Sequence, residues 1–82
     1  QAKIKKTKKD LQGNVVVITG SFGAIGTATY KLFKSYGAEV VLLDYNLQKV
    51  NEMKSKIKDL CLHCDVTNKD SVKRAFKIIS AP

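Results

Sequence analysis

The sequence predicts an α/β fold in which three parallel strands alternate with three helices. Three observations carry this. Buried-strand runs rich in Val, Ile and Leu recur along the chain, each is followed by a segment of helical period, and a glycine or polar turn stands at each junction. Strands joined by crossover helices of this length pair in parallel with right-handed connections.

"NVVVIT" (residues 14–19) is a continuous β-branched run, the composition of a strand covered on both faces. A helical period starts at Ala24, with Ile25, Ala28, Leu32, Phe33 and Tyr36 on one stripe and Gly37 as the stop. "AEVVLLD" (residues 38–44) is a second buried strand. Leu47, Val50, Met53 or Lys54, and Ile57 keep a looser helical spacing in a lysine-rich segment. "LCLHC" (residues 60–64) is a short third strand. In "TNKD", Thr67 is placed to cap a third helix, with Asp70 in its positive first turn. Val72, Ala75, Phe76 and Ile79 mark the apolar stripe of that helix.

An 82-residue chain that is 44% hydrophobic is one small domain or a piece of a larger one. It opens on Gln1 rather than Met, which suggests a boundary, a processing site or a trimmed end. No apolar run is long enough to span a bilayer, and no signal peptide opens the chain. Fifteen basic against seven acidic residues give a formal charge of +8, and five lysines fall in "AKIKKTKKD". Residues 1–12 are therefore read as a solvated basic leader. No aromatic interleaves its lysines and no nucleic-acid-binding signature follows, so no specific nucleic-acid partner and no membrane is expected.

The first strand runs directly into "GSFGAIG", whose glycines are Gly20, Gly23 and Gly26, and then directly into a helix. A helix N-terminus presents unpaired amides and the positive end of the dipole, and so stabilises an anion. Glycines there let the backbone turn tightly and approach a pyrophosphate, and Gly26 lets the helix pack close to the strand. A mononucleotide loop would need Gly-Lys-Ser/Thr at the helix start, and here the residues are Gly26, Thr27 and Ala28. The alternative is a tight strand-to-helix turn that binds nothing. A carboxylate at the end of the second strand tests the dinucleotide reading, because it can accept hydrogen bonds from a ribose diol. Asp44 stands there, eighteen residues beyond Gly26. Its charge also repels a 2′-phosphate and favours NAD over NADP, with no Arg or Lys in the glycine loop or directly after Asp44 to reverse this. The alternative is that Asp44 caps the turn that follows.

"VVVITGSFGAIGTA", "GAEVVLLD" and "CDVTNKDSVKRAF", in that order, resemble the N-terminal part of a short-chain dehydrogenase/reductase. The family's usual loop is Thr-Gly-x-x-x-Gly-x-Gly. Thr19, Gly20, Ile25 and Gly26 match it, while Ala24 holds the place of the middle glycine and Gly23 precedes it. The spacing Thr-Gly-x-x-Gly-x-x-Gly of some other members fits directly. The resemblance spans about residues 11–79. It implies that residues 13–82 are half of a Rossmann fold with strand order 3-2-1. It also implies NAD contacts from Gly20, Ser21, Gly23, Ile25, Gly26, Asp44, Asp65 and Val66, with Asp65 accepting from the adenine amine and the Val66 backbone beside the ring.

The family's chains are usually longer, with a fourth strand, an Asn-Ala-Gly segment, a catalytic Ser and a Tyr-x-x-x-Lys pair after the third helix. Tyr30 with Lys34, and Tyr45 with Lys49, spell that last motif, but both precede the third strand, and no catalytic residue is assigned. Cys61 and Cys64 fall in or at the end of a strand, where residues three apart point to opposite faces. With His63 they fall short of a four-ligand zinc site, so they are read as two buried thiols of a cytoplasmic protein and no metal is expected. The expected protein is the NAD-binding part of a short-chain oxidoreductase whose catalytic part lies elsewhere. The alternative is a non-catalytic half-domain serving assembly. A flavodoxin-like or receiver-like domain fits the glycine loop and Asp44 less well. The first strand, an open edge in the order 3-2-1, points to self-association or to pairing with the remainder of a longer domain.

Overall fold

The computed structural model describes residues 10–81. The lysines of the basic leader lie outside these residues. The element order is β1 (Val15–Thr19), α1 (Ala24–Ser35), β2 (Glu39–Asp44), α2 (Leu47–Lys54), β3 (Leu60–His63) and α3 (Lys69–Ser80). The three strands form one parallel sheet with β2 in the middle, the predicted order. Val15 pairs with Glu39 and Thr19 with Leu43, while Val41 pairs with Leu60 and Asp44 with His63.

The pleat sorts β2 into two cores. Val40 and Leu42 pack with Ile18, Val50 and Cys61 on the face covered by α1 and α2. Val41 and Leu43 pack with Cys64 and Ala75 on the face covered by α3. Every residue of β2 from Val40 to Asp44 is buried, as its unbroken apolar run requires. Cys61 and Cys64 are free thiols on opposite faces of the sheet. Burial pushes the Cys61 thiol up from its ordinary pKa. Leu11 packs onto the first core and donates its N–H to the Tyr36 carbonyl at 3.1 Å.

Helix α1 ends as predicted. Gly37 takes φ of +86°, its N–H bonds Lys34 O at 3.0 Å, and the Ala38 N–H bonds Phe33 O at 3.1 Å. This pair of bonds satisfies two terminal carbonyls and needs a residue at ease in the left-handed region. The packed stripe of α1 differs from the predicted one. Tyr30 and Phe33 pack against the core, with Gly26 one turn earlier against the glycine loop. Ile25 is 84% exposed, and Leu32 is also exposed. The contact stripe follows the helix's closest approach to the sheet at Gly26, not its most apolar residues.

The start of α3 is also shifted. Asn68, not Thr67, is the cap, and its side chain accepts from the Ser71 N–H at 3.0 Å. The Thr67 hydroxyl is already committed to Asp65 Oδ1 at 2.6 Å. Asp70 lies in the first turn as expected, while Phe76 faces outward and Ser71 and Ala75 are buried.

One polar cluster ties α1 to the entry of β3. The Tyr30 hydroxyl donates to Asp59 Oδ2 at 2.5 Å, and Lys34 Nζ meets Asp59 Oδ1 at 3.0 Å. The first Tyr-x-x-x-Lys pair is thus a clamp on one carboxylate. The hydrogen bond to Asp59, with burial and the carboxylate's charge, pushes Tyr30 up to a pKa of about 12. Burial alone would raise Asp59, but the bonds from Tyr30 and Lys34 and the lysine's charge outweigh it and lower its pKa. The two shifts set opposite limits. The Tyr30 contribution is complete below pH 10 and is lost as pH rises through about 12. The Asp59 contribution is complete above its ordinary value of 3.8 and is lost as pH falls through its lower folded value. Tyr30→Phe should cost about 1–2 kcal/mol at neutral pH and flatten the alkaline decline. Urea melts at several pH values check this, and an unchanged alkaline limb would refute it.

Candidate functional site

A cleft of about 320 Å³ opens at the C-terminal ends of β1 and β2, lined by Gly20, Phe22, Gly23, Asp44, Tyr45, Asn46 and Lys49. Ligands of open parallel sheets bind beyond the carboxyl ends of the strands, and this cleft is in that place.

Two of the loop's three glycines answer to distinct physical demands. Gly20 has φ of +62°, in the left-handed region, as the chain leaves β1. Gly26 is needed for space, because a Cβ there would lie 2.8 Å from backbone atoms of Ser21 and closer still to the Gly20 carbonyl oxygen. Gly23 is required by neither. Its backbone is extended, with φ of −79° and ψ of 174°, and an added Cβ would meet only the Gly20 oxygen at an ordinary 3.7 Å.

Gly23 is the N-cap of α1 and offers no side-chain acceptor, and no acidic residue lies in the first turn. The first intrahelical bond runs from Thr27 N to Gly23 O at 2.9 Å, so the amides of Ala24, Ile25 and Gly26 precede the ladder. By contrast, α2 and α3 carry asparagine caps. Both α1 and α2 start at the cleft, and α1 is the one whose first amides have no side-chain acceptor.

Asp44 is only 8% exposed, and each of its oxygens accepts a backbone N–H. Oδ2 accepts from Phe22 at 3.1 Å, and Oδ1 accepts from Asn46 at 2.9 Å. The carboxylate therefore holds the glycine loop and the turn after β2 in register with each other. Each oxygen keeps lone-pair capacity for a further donor from the cleft. Asp44 braces the turn, but the helix cap itself is Asn46, which accepts from the Lys49 N–H at 3.1 Å.

The remaining sequence-predicted residues lie outside the cleft lining. Ser21 is buried, with its hydroxyl 2.6 Å from the Ile18 carbonyl and 3.1 Å from that of Leu43, and its N–H bonds Leu43 O. It staples the loop to the sheet. The Ile25 side chain points to solvent, which leaves its backbone amide as the group available at the helix start. Asp65 follows Cys64, whose N–H bonds Asp44 O at 2.9 Å, so it stands at the same end of the sheet. Its carboxylate accepts from both the hydroxyl and the N–H of Thr67, and these bonds hold its pKa below the usual value. Val66 is 58% exposed. Tyr45 is 75% exposed at the cleft, and its carbonyl meets His63 Nε2 at 2.9 Å.

Sequence reasoning missed Phe22, Tyr45, Asn46 and Lys49 as cleft residues. Asn46 had a legible signal, a capping residue just before a helical period. Lys49 had none until the helix start was known. Among the described residues no cluster of His, Cys, Asp or Glu could hold a metal ion. No helix among them is long and apolar enough to cross a membrane.

The sequence profile of the family described as short chain dehydrogenase matches residues 14–81. The chain belongs to this family. It is 41% identical over 68 residues to secoisolariciresinol dehydrogenase of Forsythia intermedia, covering 79% of this chain and 24% of that protein. It is 38% identical over 72 residues to short-chain dehydrogenase reductase 3b of Arabidopsis thaliana, covering 84% and 28%. Its fold is similar to the crystal structure of 2-keto-3-deoxy-D-gluconate dehydrogenase from Streptococcus agalactiae. The TM-score is 0.77 at 29% identity, over 98% of this chain and 32% of that one. The chain thus spans about a quarter of the length of these curated relatives. The family is one of oxidoreductases, which implies a nicotinamide cofactor, and the three-stranded sheet is a partial Rossmann-type one.

Proposed function

We propose that this chain is the NAD-binding N-terminal part of a cytoplasmic short-chain oxidoreductase acting on a carbonyl or alcohol, with the acid/base residues supplied from outside it. The observation that carries the reading is the meeting, on one cleft, of the α1 start without a side-chain cap and the Asp44 carboxylate. Glycine-loop and α1 amides suit a pyrophosphate, and Asp44 oxygens suit a ribose diol. Asp65 and Val66, beyond β3, are proposed for the adenine ring. NAD, when bound, supplies the hydride acceptor. Residues of this chain bind and orient the adenosine and pyrophosphate portion. Two free buried thiols fit a reducing compartment.

Titration of the 82-residue chain with NADH, followed by nicotinamide fluorescence, should give saturable binding, and NAD should compete for it. No turnover is expected with any carbonyl or alcohol, with or without Tyr45→Phe. A folded chain that binds neither nucleotide would overturn the reading, and turnover lost on Tyr45→Phe would reassign that residue.

One feature favours the second reading, a module for assembly. Among the described residues β1 pairs only with β2, and Val15 at its start is 53% exposed. The strand is apolar and carries no charge to blunt the edge. The isolated chain should therefore self-associate through β1, or pair there with the remainder of a longer domain. A monodisperse monomer by light scattering at micromolar concentration would count against this.

A further inference from the structure

We propose that the groove between α1 and α2 is a second binding site, for a small monocarboxylate carrying an apolar ring. A pocket of about 170 Å³ lies there, on the face of the sheet that the two helices cover. Leu42 of β2 forms its floor, and Met53 and Ile57 close it on the α2 side. Phe22 lines both this pocket and the cleft at the strand ends, and so is the wall between them. An apolar cavity of about 150 Å³ stays dry and accepts a benzene ring. The groove is of that size and that kind.

The hydroxyls on its wall are already spent. Ser21 Oγ bonds the Ile18 and Leu43 carbonyls at 2.6 and 3.1 Å. Thr27 Oγ1 reaches the Ser21 carbonyl at 3.4 Å. The Tyr30 hydroxyl is turned to Asp59, whose other oxygen is held by Lys34. A water in the pocket therefore lacks the roughly two to four polar partners that would hold it there. What the wall offers a ligand is carbon. Lys31 is the exception. It is exposed at the rim, and among the described residues it forms no ion pair. Its ammonium is a compact charge on a flexible stem, able to follow an anion at the mouth. A ligand that meets both features has an apolar ring for the groove and one carboxylate for Lys31. A polar group on the ring would lose its water without gaining a partner.

The test uses the 82-residue chain with toluene and phenylacetate as probes. Met53 is the chain's one methionine, so its methyl NMR signal reports on this wall. Both probes should shift that signal saturably, phenylacetate at the lower concentration. Lys31→Glu should weaken phenylacetate about fivefold, the scale of an exposed ion pair exchanged for a repulsion, and toluene less than about twofold. Lys73→Glu, on α3 across the sheet, controls for general loss of positive charge and should leave both affinities unchanged. Ile57→Phe fills the pocket and should abolish both shifts, and Thr27→Leu, which narrows it from the α1 side, serves if that variant does not fold. Circular dichroism checks the fold of each variant. A Met53 methyl that neither probe moves would overturn the site, as would undiminished binding in a folded, filled variant. Equal phenylacetate affinity in Lys31→Glu and Lys73→Glu would overturn the assignment of a carboxylate to Lys31.

Discussion

Replacing Gly26 with alanine is expected to lower the melting temperature by about 10 °C or more and to remove nucleotide binding. The new methyl would be forced into the Gly20 carbonyl oxygen and the Ser21 backbone. Backbone cannot rotate away as a flexible side chain can, so either α1 lifts from the sheet or the loop shifts. Overpacking of this kind costs about 1–3 kcal/mol or more. In a domain this small each kcal/mol moves the melting temperature by about 4–8 °C. The same displacement moves the loop and the α1 amides, so binding should go with stability. Gly23→Ala separates the two quantities. Its backbone is extended and its Cβ would find ordinary contact, so the melting temperature should stay within a few degrees. The fold does not ask for glycine at position 23, and the requirement would come from a ligand lying against the loop. Nucleotide affinity should therefore fall in Gly23→Ala while stability holds. Calorimetric melts and NADH titrations of both variants decide the matter. Unchanged affinity in a folded Gly23→Ala would mean that no ligand approaches the loop there.

The strands were legible because burial on both faces leaves one composition available. Val40 to Leu43 must all be apolar, and no helical period can be drawn through them. The α1 face was less legible. Ile25 and Leu32 make the more apolar stripe, but the packing stripe runs through Gly26, Tyr30 and Phe33, and its placement depends on a backbone approach that hydropathy does not encode. Competition between neighbours moved the α3 cap, since the Thr67 hydroxyl is held by Asp65 and Asn68 is left to take the amide. At the cleft, Gly20 and Asp44 could be read because they sit at strand ends, and Gly23 from its spacing between Gly20 and Gly26. Lys49 could not, since its place follows from where Asn46 starts the helix. Nor could Tyr30 with Asp59, a contact between residues 29 apart that only the packed sheet brings together.

Asp44→Ala is expected to cost about 3 kcal/mol and to shift cofactor choice, and the two effects have different origins. The stability loss comes from two backbone amides, Phe22 and Asn46, whose acceptor disappears at a position nearly closed to water. An amide left unpaired in such a place costs about 1–3 kcal/mol. The shift in choice comes from charge. Without the carboxylate, a ribose diol loses its acceptor and a 2′-phosphate loses its repulsion, while Lys49 stays in the cleft. NAD affinity should fall, and NADP affinity should hold or rise. Asp44→Asn helps to distinguish the origins. It keeps the volume and one acceptor oxygen, so it should recover part of the stability, but with the charge gone its cofactor preference should stay close to that of Asp44→Ala. Urea melts give the first quantity and paired NAD and NADP titrations the second. If the unsubstituted chain bound both cofactors equally, the carboxylate would not be selecting against the phosphate, and Asp44 would be left as a brace between the glycine loop and the turn after β2.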